Sequence, residues 1–483
     1  MEKYQLNSDP QYNISSIIYL IICLGLGSML YAAIAQHFSL FLTISLFPFL
    51  LIALSYTLTQ PLFCFMVFFT GNYFIMTLFR YTGSTGFSII IDLLIGCTFL
   101  ITIIQSSLYD NIQWKRIINP ISLGTLIWLI YTFLEVLNPT SKFEAWVSTR
   151  QLIYGSFAIV IITSIIFTKK EHVFILINIL SVFTLIATIK AILQKYVGFD
   201  PYETRWLYEE GGAKTHIIYT GTRYFSIFTD ASNFGSNMGF ATFVYGILPF
   251  YTKKIGYKIY YILIAALAGY CMFISGTRGA IVVPLAGLAY FCILSKSFKG
   301  LFFSFILLVT LFFFFAFTTL GESNNYIRRM RTAFNPTEDA SFNVRIDNQK
   351  LIAEYMANKP FGEGLGLGGT EAQRFGHTYI NTIPVDSWYI KLWVETGIIG
   401  LMLYIIVILT SLIWGSYILM FKIQDPFLRG TLATLGSGCF GLMVSAYGNS
   451  FFGQYPTHYM VFIILAIIGI SHYLDKQSEL TTK

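Results

Sequence analysis

LWVETGIIGLMLYIIVILTSLIWGSYILMFK, residues 392–422, decides the fold, because no charged side chain falls between Glu395 and Lys422. About 20 apolar residues cross the hydrocarbon of a bilayer as a helix. A run this long and uniformly apolar satisfies its own backbone only as a helix and does not suit a barrel strand. Working outward, comparable runs begin near Ile14, Phe38, Pro61, Phe87, Ile118, Gln151, His172, Ala231, Tyr257, Ala280 and Leu301, then near Leu428 and Tyr455. The expected fold is an all-α polytopic membrane protein with about 12–14 transmembrane helices. Composition agrees. Only 11% of the 483 residues are charged and 55% are hydrophobic, against roughly 25% charged in a soluble protein. Such a chain cannot coat a water-facing surface.

The basic residues sort by type between the two ends of these spans. With the N-terminus cytoplasmic, twelve lysines and two arginines fall inside, and ten arginines and seven lysines fall outside. Basic short loops stay cytoplasmic, which accounts for the lysines, whereas long translocated loops are exempt from that rule. The net charge of +7 thus has a membrane explanation, and nucleic acid is not an expected partner. The outer arginines need another cause, and arginine is the side chain that grips phosphate with a planar fork of donors. The six cysteines lie in apolar runs without CxxC spacing and read as small buried hydrophobes. The polar N-terminus, MEKYQLNSDPQYN, has no A-x-A site, so no removable signal peptide is expected.

Three regions follow. Residues 1–320 hold eleven spans and an outer loop at 198–230, residues 321–391 form a large outer loop, and residues 392–483 hold the last three spans. The large loop opens with Arg328, Arg329 and Arg331, either a headgroup-touching patch or part of an anion site. An amphipathic helix lying at the membrane interface is expected next, capped by Ser341 or Asp339 and ended by Pro360, with Phe342, Ile346 and Ala353 on one face and Val344, Leu351 and Tyr355 beside it. Arg345 on it is either a surface ion pair or a cavity residue. PFGEGLGLGG, residues 360–369, lacks the GK[ST] ending of a phosphate loop and reads as a sharp turn packed on the helices. Asp386, Lys391 and Glu395 then stand at the outer end of the following span. Ionisable residues there are costly unless they face a cavity or a partner, and Asp386 is either a helix cap or a cavity carboxylate. His216, His377 and His458 are scattered, so no metal site and no cofactor are expected.

Four of these pieces together resemble the superfamily of O-antigen ligases and Wzy-type polysaccharide polymerases. They are RYFSIFTDASNFGSNMGFA (223–241), SGTRGA (275–280), Arg345 followed by PFGEGLGLG (360–368), and DSWYIKLWVETGIIGL (386–401). Where the ligases carry a functional His followed by Asn, this chain has Asp386 and Ser387, which tilts the resemblance toward the polymerases. The resemblance implies a glycosyltransferase of the GT-C-like class in a bacterial inner membrane, with both termini cytoplasmic and its active site periplasmic. The implied donor is an undecaprenyl-diphosphate-linked glycan, and the acceptor is a second glycan or lipid A–core. Membrane lipids and a chain-length regulator are further expected partners. Polymerisation of repeat units is the leading expectation, with ligation to lipid A–core or to protein, or flipping of a lipid-linked oligosaccharide, as alternatives. Under it Arg223, Arg278, Arg345, Arg328 and Arg331 are candidates to bind the diphosphate, Arg278, Arg345 and Asp386 are catalytic candidates, and Asp230 and Glu395 stand behind Asp386.

Overall fold

The computed structural model describes residues 60–83, 88–108, 113–218, 221–295, 298–321, 325–331 and 340–481, with residues 27, 28, 56, 86 and 323. The chain divides into two compact units, Met1–Cys64 and Phe65–Lys483, and nearly everything described belongs to the second. The expected spans near Ile14 and Phe38 lie outside the described residues. Each expected start from Pro61 onward coincides with a helix to within four residues.

The principal helices are α1 (Pro61–Thr82), α2 (Ser88–Leu108), α3 (Pro120–Leu134), α4 (Ser156–Ile166), α5 (Lys170–Tyr196), α6 (Pro201–Tyr208), α7 (Ala231–Ile247), α8 (Ile255–Ile274), α9 (Val282–Leu294), α10 (Phe298–Phe317), α11 (Asn325–Arg331), α12 (Ala340–Met356), α13 (Trp388–Phe421), α14 (Pro426–Ser445) and α15 (Thr457–Thr481). Among the described residues, eight helices are long and apolar enough to cross a membrane, and Gln151–Ile166 and Arg278–Leu294 are shorter apolar helices. The only described sheet is a two-residue hairpin, Ile217–Ile218 against Gly221–Thr222. The protein is an all-α polytopic membrane protein.

The bundle closes around α7. Gly235 and Gly239 let the turn after α8 come close, since a Cβ at Gly239 would stand 2.7 Å from the Ala280 carbonyl oxygen. Small residues let membrane helices approach in this way, where no hydrophobic drive pulls them together. Polar side chains then lock α7 to the last span. Asn237 Nδ2 donates to Thr457 Oγ1 at 2.8 Å, Thr457 Oγ1 donates to Asn233 Oδ1 at 2.6 Å, and Asn233 Nδ2 donates to the Tyr455 carbonyl at 2.8 Å. All three side chains are buried, so each hydrogen bond avoids the penalty of an unsatisfied group.

α13 is broken at Gly397, which has φ 67° and ψ −176°. The glycine-rich turn fills that break. Glu363 N–H donates to the Val394 carbonyl at 2.8 Å, Gly364 N–H donates to the Glu395 carbonyl at 3.0 Å, and Ile399 N–H donates to the Pro360 carbonyl at 3.3 Å. Carbonyls orphaned by the kink are thus satisfied from the loop, which meets the demand that backbone groups near a membrane be paired. The glycine run is a packed turn. α12 forms where the sequence places a helix and leaves Val344, Ile346 and Leu351 exposed. It also buries Ile352 and Met356 against Ile380, Ile383 and Val394, a face that periodicity did not single out.

Candidate functional site

One cavity, of about 390 Å³, is formed by four connections: 198–230, the turn between α8 and α9, the large loop, and the link from α14 to α15. These are the connections that the lysine-poor side of the sequence pattern assigns to one end of the bundle. The 198–230 segment is held by buried charge. Arg80, at the end of α1, donates to the Ser226 and Phe228 carbonyls at 2.9 and 2.6 Å, and its guanidinium lies 4.6 and 4.4 Å from the ring centres of Trp206 and Phe225, which meet each other edge-on. Lys190 on α5 bridges Asp200 at 2.7 Å and Glu203 at 3.0 Å.

That anchoring sets Arg223 and Asp230. Arg223 donates to the Thr215 carbonyl at 3.0 Å, to Ser232 Oγ at 3.2 Å and to Thr277 Oγ1 at 3.1 Å. Asp230 caps α7, with Oδ1 accepting the N–H groups of Ser232 at 2.6 Å and Asn233 at 3.0 Å. Beside it His216 is buried, and its partners fix the tautomer. Nδ1–H donates to the Gly212 carbonyl at 2.8 Å, and Nε2 accepts the Ala231 N–H at 3.1 Å. Burial is the main force pushing its pKa down, to about 4.

Arg278 reaches the cavity because the tight turn Ser275–Arg278 packs on α7. Arg329 enters from α11 and Arg345 from α12. Arg345 Nε stands 3.3 Å from Asp386 Oδ2, so both readings of Arg345, ion pair and cavity residue, hold together. Asp386 does not cap α13, whose N-cap position is Ser387. Four guanidinium groups therefore share one small space with Asp230, Asp386 and Glu371. Burial lowers the pKa of Arg223, with Asp230 opposing and Arg345 adding to the shift. Burial and then repulsion from Arg223, Arg278 and Arg345 bring Arg329 down to about 10. Like charges held this close favour a multiply charged anion.

Of the residues singled out from sequence, Arg223, Arg278, Arg345, Asp230 and Asp386 come together here, and Trp206 joins them. Arg328 and Arg331 do not line the cavity. Arg328 is exposed, and Arg331 turns back to donate to Thr318 Oγ1 at 3.2 Å and to the Leu320 carbonyl. Helical phase explains this, since neighbours on α11 point in different directions and only Arg329 faces inward. Glu395 is also absent from the lining. It is buried beneath the glycine turn, its carboxylate facing the N–H groups of Gly366 and Gly368. Among the described residues no three His, Cys, Asp or Glu side chains group so as to hold a metal ion.

The cavity also contains Glu371, Asn449, Ser450 and Gln454, which sequence reasoning missed. The last three lie in GNSFFGQYP, the one polar stretch between the final two spans, on the same side as the arginines by count of crossings. That placement was their available signal. Glu371 is tied to Lys391 at 3.6 Å.

Fold and site together define an integral membrane protein with an arginine-lined cavity at one end of its bundle. Residues 263–405 match the family model described as O-antigen ligase, a segment containing Arg278, Arg329, Arg345, Glu371 and Asp386. The match supports the chain's place in the superfamily of O-antigen ligases and Wzy-type polymerases, and a glycosyltransferase-like activity of that broad type on lipid-linked glycan and acceptor. No curated protein matches the chain.

Proposed function

We propose that the protein polymerises oligosaccharide repeat units carried on undecaprenyl diphosphate, building O-antigen, capsule or exopolysaccharide at the periplasmic face of a bacterial inner membrane. The convergence of Arg223, Arg278, Arg329 and Arg345 on one cavity with Asp386 carries this reading. A departing lipid diphosphate gathers negative charge in the transition state, and guanidinium groups already in position lower that barrier without reorganising. The acceptor hydroxyl oxygen attacks the anomeric carbon. The bond from that carbon to the phosphate oxygen breaks, the diphosphate leaves with the electron pair, and the hydroxyl proton passes to the Asp386 carboxylate. Asp230 spends Oδ1 on the α7 cap and Glu395 lies outside the lining, which favours Asp386 for this role. In this scheme the spans between residues 65 and 320 and those of 392–483 frame the site, and loop 321–391 supplies Arg329, Arg345, Glu371 and Asp386.

Ligation is the second reading, favoured by the description of the matching family model. It uses the same donor chemistry and differs in its acceptor, lipid A–core or a protein. Purified protein given lipid-linked repeat units, with and without lipid A–core, tests both. Polymer formed by the wild type and lost in Arg278→Ala, Arg345→Ala and Asp386→Ala supports polymerisation at this site. Glycan appearing only on lipid A–core makes the protein a ligase. If all three variants keep wild-type turnover, the site is wrongly assigned. Movement of donor across vesicles without new glycosidic bonds would instead indicate a flippase.

A further inference from the structure

The opposite end of the bundle carries a second cavity, of about 550 Å³, to which the proposed chemistry gives no part. Three membrane helices begin at it. Lys170 opens α5, Lys253 and Lys254 immediately precede α8, and Asp425 caps α14. Because all three spans start there, the cavity sits at the depth where helices enter the bilayer, the level of lipid headgroups. Its walls are mainly apolar and aromatic, with Phe174, Ile177, Leu248 and Phe427 among them.

Charge at this cavity is unbalanced. Lys170, Lys253 and Lys254 line it against the single carboxylate of Asp425. Lys170 approaches Asp425 only to 3.9 Å, while Asp425 Oδ1 accepts the Phe427 N–H at 2.9 Å as a helix cap. Lys253 Nζ stands 4.7 Å from the centre of the Phe427 ring. Next to the lysines, Phe250 and Ile255 are 80% and 71% exposed, an apolar face without protein cover. Ammonium groups at a headgroup-level pocket, with apolar surface running on from it, match a ligand that has one anionic end and a hydrocarbon body. Basic pockets between membrane helices bind anionic headgroups by this logic. A free phosphate ion would leave the apolar face unused.

We propose that this cavity binds the phosphodiester headgroup of an anionic glycerophospholipid through Lys170, Lys253 and Lys254, with the acyl chains lying along the Phe250–Ile255 face. The site is independent of glycan transfer, and so is its test.

Delipidated full-length protein in detergent is titrated with phosphatidylglycerol or with phosphatidylcholine of the same acyl chains, and bound lipid is read by native mass spectrometry. The wild type is expected to take phosphatidylglycerol at least about tenfold more tightly, each lysine being worth about fivefold. The variant Lys170→Gln/Lys253→Gln/Lys254→Gln should bring the two lipids within about twofold of each other. A control, Lys115→Gln/Lys258→Gln/Lys422→Gln, alters lysines of the same end outside the lining and should keep the preference. Should the first triple variant not fold, Lys253→Gln/Lys254→Gln, at two exposed positions, must still reduce the preference. Glycerol 3-phosphate should not compete. Equal binding of the two lipids by wild type, a preference that survives in the lining variants, or effective competition by glycerol 3-phosphate would each overturn the proposal.

Discussion

Arg345 Nε stands 3.3 Å from Asp386 Oδ2 and ties helix α12 of the large loop to the residue that precedes the cap of α13. The two side chains remain 39% and 48% exposed. An ion pair so open to water contributes about 0–1 kcal/mol to stability, too little to explain why both groups turn into the cavity. Arg345→Ala and Asp386→Ala should therefore each lower turnover by about 100-fold or more while thermal unfolding barely moves. The exchanged pair, Arg345→Asp with Asp386→Arg, restores the attraction but places the charges at the wrong ends. It should remain inactive. Wild-type turnover in the exchanged pair would mean that the two residues serve only to hold the loop.

The packed glycine turn makes a different demand. Gly397 has φ 67° and ψ −176°, a backbone region that essentially only glycine occupies, and a Cβ there would run into the Pro360 carbonyl. Gly397→Ala should cost more than about 2 kcal/mol through strain and overpacking. It should release the turn from the kink, seen as a lower melting temperature and faster proteolysis between residues 357 and 387. Gly96→Ala on α2, where no atom lies within 4 Å of the added Cβ, should change neither reading.

How much of this was legible beforehand follows from the range of each signal. Span positions are local, because about 20 consecutive apolar residues announce themselves without reference to the rest of the chain. Arg223, Arg278, Arg345, Asp230 and Asp386 could be chosen because each falls in or beside a piece that resembles the superfamily's motifs, and parity of crossings puts those pieces on one side of the bundle. Distinguishing Arg329 from Arg328 and Arg331 required the phase of α11, which the polar composition of NYIRRMR does not set. Glu395 stood behind Asp386 as a cavity carboxylate because it lies near a span end. Its burial depends on the break at Gly397 and on a turn some thirty residues upstream, both tertiary. Asn449, Ser450 and Gln454 were legible by the same parity argument and were missed because they carry no charge.

Acid should weaken the fold through His216. In the unfolded chain this imidazole takes a proton near 6.5, whereas in the folded protein burial holds it neutral down to about 4, with Asp230 favouring protonation and Arg223 and Arg80 opposing it. Between these values the unfolded chain binds the extra proton, so stability falls as pH drops from about 6.5 toward about 4 and is fully present above 6.5. The loss is at most about 3 kcal/mol. Protonation would remove the Nε2 lone pair that accepts the Ala231 N–H, and α7 would lose a partner beside Asp230. Thermal unfolding followed from pH 7 to 4.5 should show this slope in wild type and a shallower one in His216→Asn, whose side chain does not titrate. Parallel slopes would remove His216 from the account.

Every argument about the arginines depends on the side of the membrane they face. Of the five described cysteines, Cys64, Cys271, Cys292 and Cys439 are buried and Cys97 is half-buried within the apolar helix α2, so an impermeant maleimide meets a low background on intact cells. His377 is exposed in the large loop, and Lys115 is exposed in a connection that the lysine pattern assigns to the cytoplasm. His377→Cys should be labelled from outside before the membrane is opened, and Lys115→Cys only afterwards. The cavity arginines lie in the loop that carries residue 377 and in connections of the same parity, so labelling at 377 reports on all of them together. The reverse pattern would put the guanidinium cluster in the cytosol, where a donor presented at the outer leaflet cannot reach it, and the polymerase and ligase readings would fall together.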